Sequence, residues 1–531
     1  MTSFFRASPA ILSYASQPVS PSLDGSNAPS FFASLKSSVD PFWTSNTVLT
    51  VVGTTILLLL VLEQTNYRIK KSWLPGEKWT IPIIGQFVDS MYPSLENYQK
   101  QWDMGPLSAL SVFNIFIVMA STNQYTRRIL NSPLYAGPCL VHSAKKVLEP
   151  DNWVFLNGKA HADYRRMLNA LFTRKSLAIY LKTQDDIARK TFKKWLESDQ
   201  SLTHSDIMTS VRDFNMETSL RVFCGPHIPE HAVRLITGQY WKITKALELV
   251  NFPLALPGTK IWGAVQARKE AMKWLEGAAK ASKEAMRRGE EVKCLIDEWT
   301  REMILASESE GEAKYKMDFS DHEIAQVVLS FLFASQDAMS SGIIYMFQHL
   351  ADYPDILAKI REEQIRVRGG DLESPMNLEW LDEMPYIRAC VKESLRVKPP
   401  VTMVPYVAHK DFPISESYTV PKGSMVIPSL YPSLLDENVY PDPHKFIPER
   451  WLDENSSANQ NPAHYLVFGA GPHRCIGQEY TTMNMATALG TAAIMMDWDH
   501  LKTPKSDKVQ IIATIFPQDG CLLKFTPRNS T

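Results

Sequence analysis

Cysteine is scarce in this chain: six residues among 531, at Cys139, Cys224, Cys294, Cys390, Cys475 and Cys521. No two stand at the short spacing of a zinc site or a disulfide framework, so neither is suggested and a reducing compartment fits. Most of the six read as buried thiols. An excess of one charge is also missing. Lys and Arg number 56 against 57 Asp and Glu, a net charge of −1, so no overall basic field points to nucleic acid. There is no internal repeat. With 45% hydrophobic and 21% charged residues, the composition is that of an ordinary globular chain, long enough to bury a large core in one domain.

Long apolar runs are nearly absent. The exception is residues 44–62, TSNTVLTVVGTTILLLLVL, uncharged and close to the roughly 20 residues that span a bilayer as a helix. Arg68, Lys70 and Lys71 follow, so the positive-inside tendency puts the following bulk of the chain in the cytosol. The run lies far from Met1 with no basic lead-in, which favours an uncleaved single-pass anchor over a signal peptide. Residues 1–43 are rich in Ser, Pro and Ala and read as disordered. Residues 63–85 read as a basic, proline-rich linker ending in LPGEKWTIPIIG, and residues 86–531 as the main domain.

The domain reads as mainly α with a small β portion. Residues 109–120, ALSVFNIFIVMA, form buried strands. Helical spacing dominates residues 205–289, interrupted by NFPLALPG, and residues 304–318 read as a mobile connection. Ser320 and Glu323 make a capping box. The helix it starts runs without proline to Pro354, about 50 Å at 1.5 Å per residue. Its apolar surroundings make it a core helix, yet SQDAMSS sits in its middle, and an acid buried there needs a reason. A second helix carries Glu393 and Arg396 in KESLR, on one face by their i,i+3 spacing. Residues 406–428 read as short strands, FIPERW adds Arg450, and QIIATIFPQDGCLLKF reads as a terminal hairpin.

One cysteine stands apart. Cys475 lies in FGAGPHRCIG, residues 468–477. Glycines let backbone close around a thiolate and leave room for a flat ligand. His473 and Arg474 are expected to add positive charge, and the helical pattern after Gly477 offers a helix N-terminus. Cysteine binds metal as thiolate.

FGAGPHRCIG resembles the haem-binding loop of cytochrome P-450, with Phe468, Gly471, His473, Cys475 and Gly477 in the places that loop expects. KESLR is similar to the family's E-x-x-R helix, PERW to the segment that completes its Glu–Arg–Arg cluster, and the long helix with a central acid to the oxygen-binding helix. ASQDA, FGAGPHRCIGQEY, MDWDH and ATIFPQD look most like fungal sterol C-22 desaturases, a branch of the superfamily that makes the C22–C23 side-chain double bond in ergosterol biosynthesis.

The resemblance implies a cytochrome P-450 fold and haem b with Cys475 as axial iron ligand. It implies use of O2, electrons from NADPH through a separate membrane-bound reductase, and a sterol substrate. It places the protein in the endoplasmic reticulum membrane with its catalytic domain cytosolic. Asp337 would relay protons. The superfamily's usual Thr after that acid is Ala338 here, so Ser340 or ordered water would substitute. Arg165 in GKAHADYRR and His473 would bind the haem propionates, with His161 in place of a usual Trp and Tyr406 in place of a usual Arg. Glu393, Arg396 and Arg450 would be a structural cluster. Phe333, Ala334, Met403, Val404, Thr514, Ile515 and Phe516 would line the sterol pocket, though each could equally be core. Two alternatives stay open. One is another membrane-bound P-450, a sterol 14-demethylase or a hydroxylase of lipophilic molecules. The other is a haem-thiolate protein that binds a ligand without turnover.

Overall fold

The computed structural model describes residues 45–86, 93–139, 142–246, 255–308, 318–512 and 514–528. The expected disordered segment, residues 1–43, lies outside them. Contacts divide the chain into one unit ending at Leu62 and a second from Glu63 to Thr531. The helix Ser45–Lys71 is long and apolar enough to cross a membrane; Leu49, Leu57, Leu59 and Leu62 on it are all exposed. It continues nine residues into the stretch expected to be linker. In the second unit, Gln64 donates to the Thr80 carbonyl at 3.0 Å, and Arg68 stacks over Trp79 at 3.6 Å. These contacts tie the last turns of the helix to the turn-rich segment that follows.

The domain is mainly helical, as expected, and organised around the helix Asp321–Asp352. Both halves of its capping box are made: the Glu323 N–H donates to Ser320 Oγ at 3.1 Å and the Ser320 N–H donates to Glu323 Oε2 at 2.8 Å. This helix passes the same length and composition test as the anchor, but it is buried, which makes it a core helix. Met208–Cys224, Lys260–Arg287, Pro385–Val397 and Gln478–Met495 pack around it.

Five strands form the larger sheet, in the order Leu107–Val112, Ile115–Ala120, Met425–Pro428, Tyr406–Ala408, Ala136–Pro138. The first two make the hairpin expected from ALSVFNIFIVMA. Its two turn residues, Phe113 and Asn114, have φ of 48° and 59°, the backbone a primed two-residue turn requires. The parallel pairing of Ile117 with Met425 joins segments some three hundred residues apart.

Two expectations are corrected. QIIATIFPQDGCLLKF is not one hairpin. Val509–Ile512 pairs with Thr514–Pro517, then Gly520 and Cys521, both at positive φ, turn the chain. Leu522–Pro527 leaves to pair with Met496–His500. Residues 304–308, expected in a mobile connection, finish the helix Leu295–Glu308, and residues 309–317 lie outside the described set. Glu393 and Arg396, expected in a structural cluster, have fully buried side chains.

That pair anchors the side of the domain below the central helix. Glu393 accepts from Arg396 Nε and Nη2 at 2.9 and 2.8 Å, from Arg450 Nε at 2.9 Å, from Trp451 Nε1 at 2.8 Å and from the Ile447 N–H at 3.2 Å. The remaining donors of Arg396 reach the carbonyls of Leu434, Pro443 and Lys445. A buried charge survives only when its hydrogen bonds are filled, and here each guanidinium donor of Arg396 has a partner. Glu393→Gln leaves two buried arginines without a counter-charge. It is expected to cost about 3–5 kcal/mol, read as a lower urea midpoint. A midpoint within about 1 kcal/mol of the parent, the size of an ordinary hydrogen bond, would show that the cluster is dispensable.

Candidate active site

Cys475 is the exposed cysteine; the other five are buried or half-buried. Two backbone bonds within the loop close it. The Cys475 N–H donates to the Phe468 carbonyl at 2.9 Å and the Arg474 N–H to the Gly471 carbonyl at 3.0 Å. Gly471 has φ +71°, and a Cβ there would stand 2.2 Å from the Leu130 carbonyl oxygen, so glycine is required for the loop to lie against the helix Asn123–Leu130. Gly477 is the N-cap of the helix Gln478–Met495. Protein crowding raises the thiol's pKa, while a hydrogen bond from the Gly477 backbone and the charges of Arg165 and Arg474 lower it. These last three, with the helix dipole, are what a metal-bound thiolate uses.

The helix Gly158–Asn169 docks on this loop through two residues one turn apart. Arg165 Nη2 donates to the Arg474 carbonyl. His161 stacks on His473 with ring centroids 4.0 Å apart. Burial pulls the His473 imidazole down to about 4, helped by His161 and Arg165. His473 therefore does not add the positive charge expected of it beside the sulfur; Arg165 and Arg474 do. Tyr406 meets the edge of His473 at 6.4 Å, and burial raises its phenol to about 12, so it is neutral there.

The loop is also tied to the buried carboxylate. Trp451, a partner of Glu393, meets Tyr465 at 5.3 Å, Tyr465 meets Phe468 at 6.5 Å, and the Tyr465 hydroxyl donates to the Lys392 carbonyl at 3.0 Å. The aromatic line carries the position of Glu393 to the first residue of the cysteine loop.

Between the two ends of the central helix, burial lapses only around the middle: Ala334 is exposed, and Phe333, Ser335 and Ala338 are half-buried. Ala334 and Ala338, one turn apart, give this stretch a face without bulk. The polar residues beside it are explained by a ladder from the helix Met208–Cys224. Arg212 pairs with Asp337 at 2.7 Å, Asn215 donates to the Gln336 carbonyl at 3.0 Å, and Ser219 meets Ser335, oxygen to oxygen, at 3.2 Å. Burial raises the Asp337 carboxyl and Arg212 lowers it. Arg212, Asn215 and Ser219 escaped the sequence reading. Their i, i+3, i+7 spacing in an apolar helix was the available signal.

Other expected residues are placed as follows. Ser340 is buried and donates to the Gln336 carbonyl at 2.5 Å, so its proton is committed to the helix. Ser341 donates to the Ile515 carbonyl at 2.5 Å and Thr514 to the Asp337 carbonyl at 3.3 Å, which seats the Thr514–Pro517 strand on the central helix. Ile515 and Phe516 are buried, and Phe516 packs in the main core. Met403 packs with Trp102, Met119 and Tyr431 in a satellite cluster, away from the set expected of it. Val404 is half-buried against the cluster that includes Tyr406 and Leu466. The fold also brings His227, Cys294 and Asp297 within 4.8 Å. The Asp297 carboxylate accepts from Ser282 at 2.6 Å and the Lys293 N–H at 3.1 Å and contacts His227 at 2.7 Å, a filled hydrogen-bond hub.

These residues fit a haem: one accessible cysteine sulfur with a backbone donor, flanking arginines, and a small-residue face on a core helix. Cys475→Ser is expected to keep the helical circular dichroism of the parent and to lose the ferrous–CO band of a thiolate-ligated haem. Retention of that band would move the ligand elsewhere.

The cytochrome P450 family model matches residues 75–517. The C-22 sterol desaturase ERG5 of Saccharomyces cerevisiae is 44% identical over 490 residues, covering 91% of each chain. The C-22 sterol desaturase erg5 of Aspergillus fumigatus is 40% identical over 515 residues, covering 94% of this chain and 98% of its own. Among solved structures, a retinoic acid-bound cyanobacterial CYP120A1 superposes with a TM-score of 0.72 at 21% identity, covering 84% of this chain and 98% of its own; that likeness speaks to the fold. With a thiolate loop and a buried Glu–Arg–Arg cluster found where the family model runs, the chain belongs to the cytochrome P450 family.

Proposed function

We propose that the protein is a sterol C-22 desaturase, forming the C22–C23 double bond of the side chain in ergosterol biosynthesis. What carries the reading is the 44% identity over 91% of the chain with an enzyme named for that reaction, joined to a site with one accessible thiolate. The overall change balances as side-chain CH2–CH2 plus O2, two electrons and two protons giving CH=CH and two waters.

Cys475 would be the iron's axial ligand, and the bound haem would supply the oxygen chemistry. Arg165 and His473 would face its propionates, and Phe468, Gly471 and Gly477 would shape the loop around the sulfur. Phe333, Ala334 and Val404, which keep accessible surface, would orient the sterol side chain. Asp337 is held between burial, which favours the neutral acid, and Arg212, which favours the anion. That balance suits a group that takes up and releases a proton at its carboxylate oxygen. Electrons would come from NADPH through a separate reductase. The helix Ser45–Lys71 would anchor the chain singly in the endoplasmic reticulum membrane with the domain in the cytosol.

The test is product analysis. Membranes containing the protein and a reductase receive NADPH and a sterol with a saturated C22–C23 bond. A product lighter by two hydrogens, unsaturated in the side chain, is expected. A product heavier by one oxygen would make it a hydroxylase and overturn the desaturase reading. In the same assay Asp337→Asn is expected to lower turnover about 100-fold, the low end for a lost proton-transfer group, with the sterol-induced spectral shift unchanged. Full turnover in that variant would remove Asp337 from the proton path.

A further inference from the structure

The helix that follows the cysteine loop carries a buried polar stripe. Tyr480, Asn484, Thr487 and Thr491 stand at i, i+4, i+7 and i+11 of Gln478–Met495, one face of a helix over about 16 Å. All four are buried. The facing helix Arg174–Leu196 presents Gln184 and Asp185, also buried. Thr491 donates to Asp185. Both amide atoms of Asn484 and the Thr487 hydroxyl have no direct hydrogen-bond partner, and the Tyr480 hydroxyl and Gln184 amide, which face each other, make no direct bond of ordinary geometry. Polar atoms gathered in this way on one buried seam call for partners, because each buried unsatisfied group is costly. Internal water bridges groups of this kind, typically with about three hydrogen bonds each.

The stripe has two ends. At one, Asp185 pairs with Arg189 at 3.0 Å, and Arg189 keeps 19% of its side chain exposed while donating to the Leu372 carbonyl at 2.8 Å. At the other, the Tyr480 hydroxyl lies beside Ser219 and Gln184. Ser219 meets Ser335 of the central helix at 3.2 Å. Ser335 adjoins the exposed Ala334 and stands two residues before Asp337. The walls between the ends are aromatic: Tyr180 at 6.5 Å, Phe172 at 6.4 Å and Phe223 at 5.7 Å from the Tyr480 ring.

We propose that Gln184, Tyr480, Asn484 and Thr487 hold a file of internal water running from the Asp185–Arg189 pair to Ser219 and Ser335, and that this file carries protons from solvent to the central helix. The family's reaction consumes two protons for each O2 reduced by the two electrons of its redox partner, and those protons must cross the protein. Hydroxyls, amides and water pass a proton by donating one hydrogen bond while accepting the next, so no side chain on the route is oxidised or changed. The central helix offers no free hydroxyl directly after Asp337: Ala338 has none, and the Ser340 proton is held by the Gln336 carbonyl. Ser219, Tyr480 and Asn484 are positioning residues in this scheme, acting through the water they hold.

The experiment has two readouts on the full-length haem protein. The first is a high-resolution crystal structure of the resting enzyme, in which ordered water should bridge Tyr480, Asn484, Thr487 and Gln184; a dry, directly bonded seam would overturn the proposal. The second compares Ser219→Ala, Tyr480→Phe and Asn484→Leu with the parent in the reductase assay. Peroxide released per NADPH consumed is expected to rise several-fold and the solvent deuterium isotope effect to change, while the ferrous–CO band and sterol-binding shift stay as in the parent. The two conservative variants guard against a folding failure of Asn484→Leu. Unchanged coupling and isotope effect in Ser219→Ala and Tyr480→Phe would overturn the proton route even if the waters are present. Peroxide can be read with any bound sterol, so failure of this proposal is distinguishable from failure of the desaturase reading.

Discussion

The Glu393 carboxylate is the constraint on which the site depends. It is fully buried and takes hydrogen bonds from two arginines, an indole and a backbone N–H. Such a group has no low-energy alternative, because a partner that moves leaves charge unpaired in a medium that solvates it poorly. Arg396 extends the constraint to three carbonyls between Leu434 and Lys445. Trp451, Tyr465 and Phe468 extend it to the cysteine loop. A loop with little secondary structure of its own is thereby held as firmly as the helix that carries Glu393, which is what an axial thiolate needs if its distance to a metal is to be fixed.

The central helix meets the opposite demand. A core helix gains stability from apolar burial along its length, yet an active site needs a place where burial stops. Here it stops at Phe333 to Ser335 and Ala338. The polar residues that accompany the lapse do not float in the core. Arg212, Asn215 and Ser219 reach them in order from a neighbouring helix, so the acid at Asp337 is paired while burial raises its carboxyl. The seam behind Tyr480 continues the same polar surface toward the Asp185–Arg189 pair.

Much of this was legible in the residues. The capping box, the length of the central helix, the hairpin at Phe113–Asn114 and the glycine-bounded Cys475 rest on local rules, and local rules can be read from a sequence. Burial of the Glu393–Arg396 pair could not be read from its spacing, only from the likeness of KESLR and PERW to the family's cluster, because an i,i+3 pair looks alike on a surface or in a core until its neighbours are known. Neither could the neutrality of His473, which depends on its stack with His161. The C-terminal strands were misjudged because strand pairing is non-local: Phe525 pairs with Trp498 rather than with the strand just before it. Phe516 and Met403 suit a pocket by their apolar character, and the same character suits the clusters they pack in.

The sequence by itself determined the apolar anchor helix, the helix-rich domain, and one cysteine set in a glycine-bounded loop before a helix, since each follows from composition or from residues within a few turns of one another. Only the tertiary structure decided which charges are buried and which are neutral, why an acid is tolerated at the middle of the core helix, and where the buried polar seam runs. Those outcomes rest on contacts between residues as far apart as Arg212 and Asp337, Asp185 and Thr491, and Arg165 and Arg474. Hydrogen bonding and desolvation act over a few ångströms, and distance along the chain carries no information about which groups will come that close.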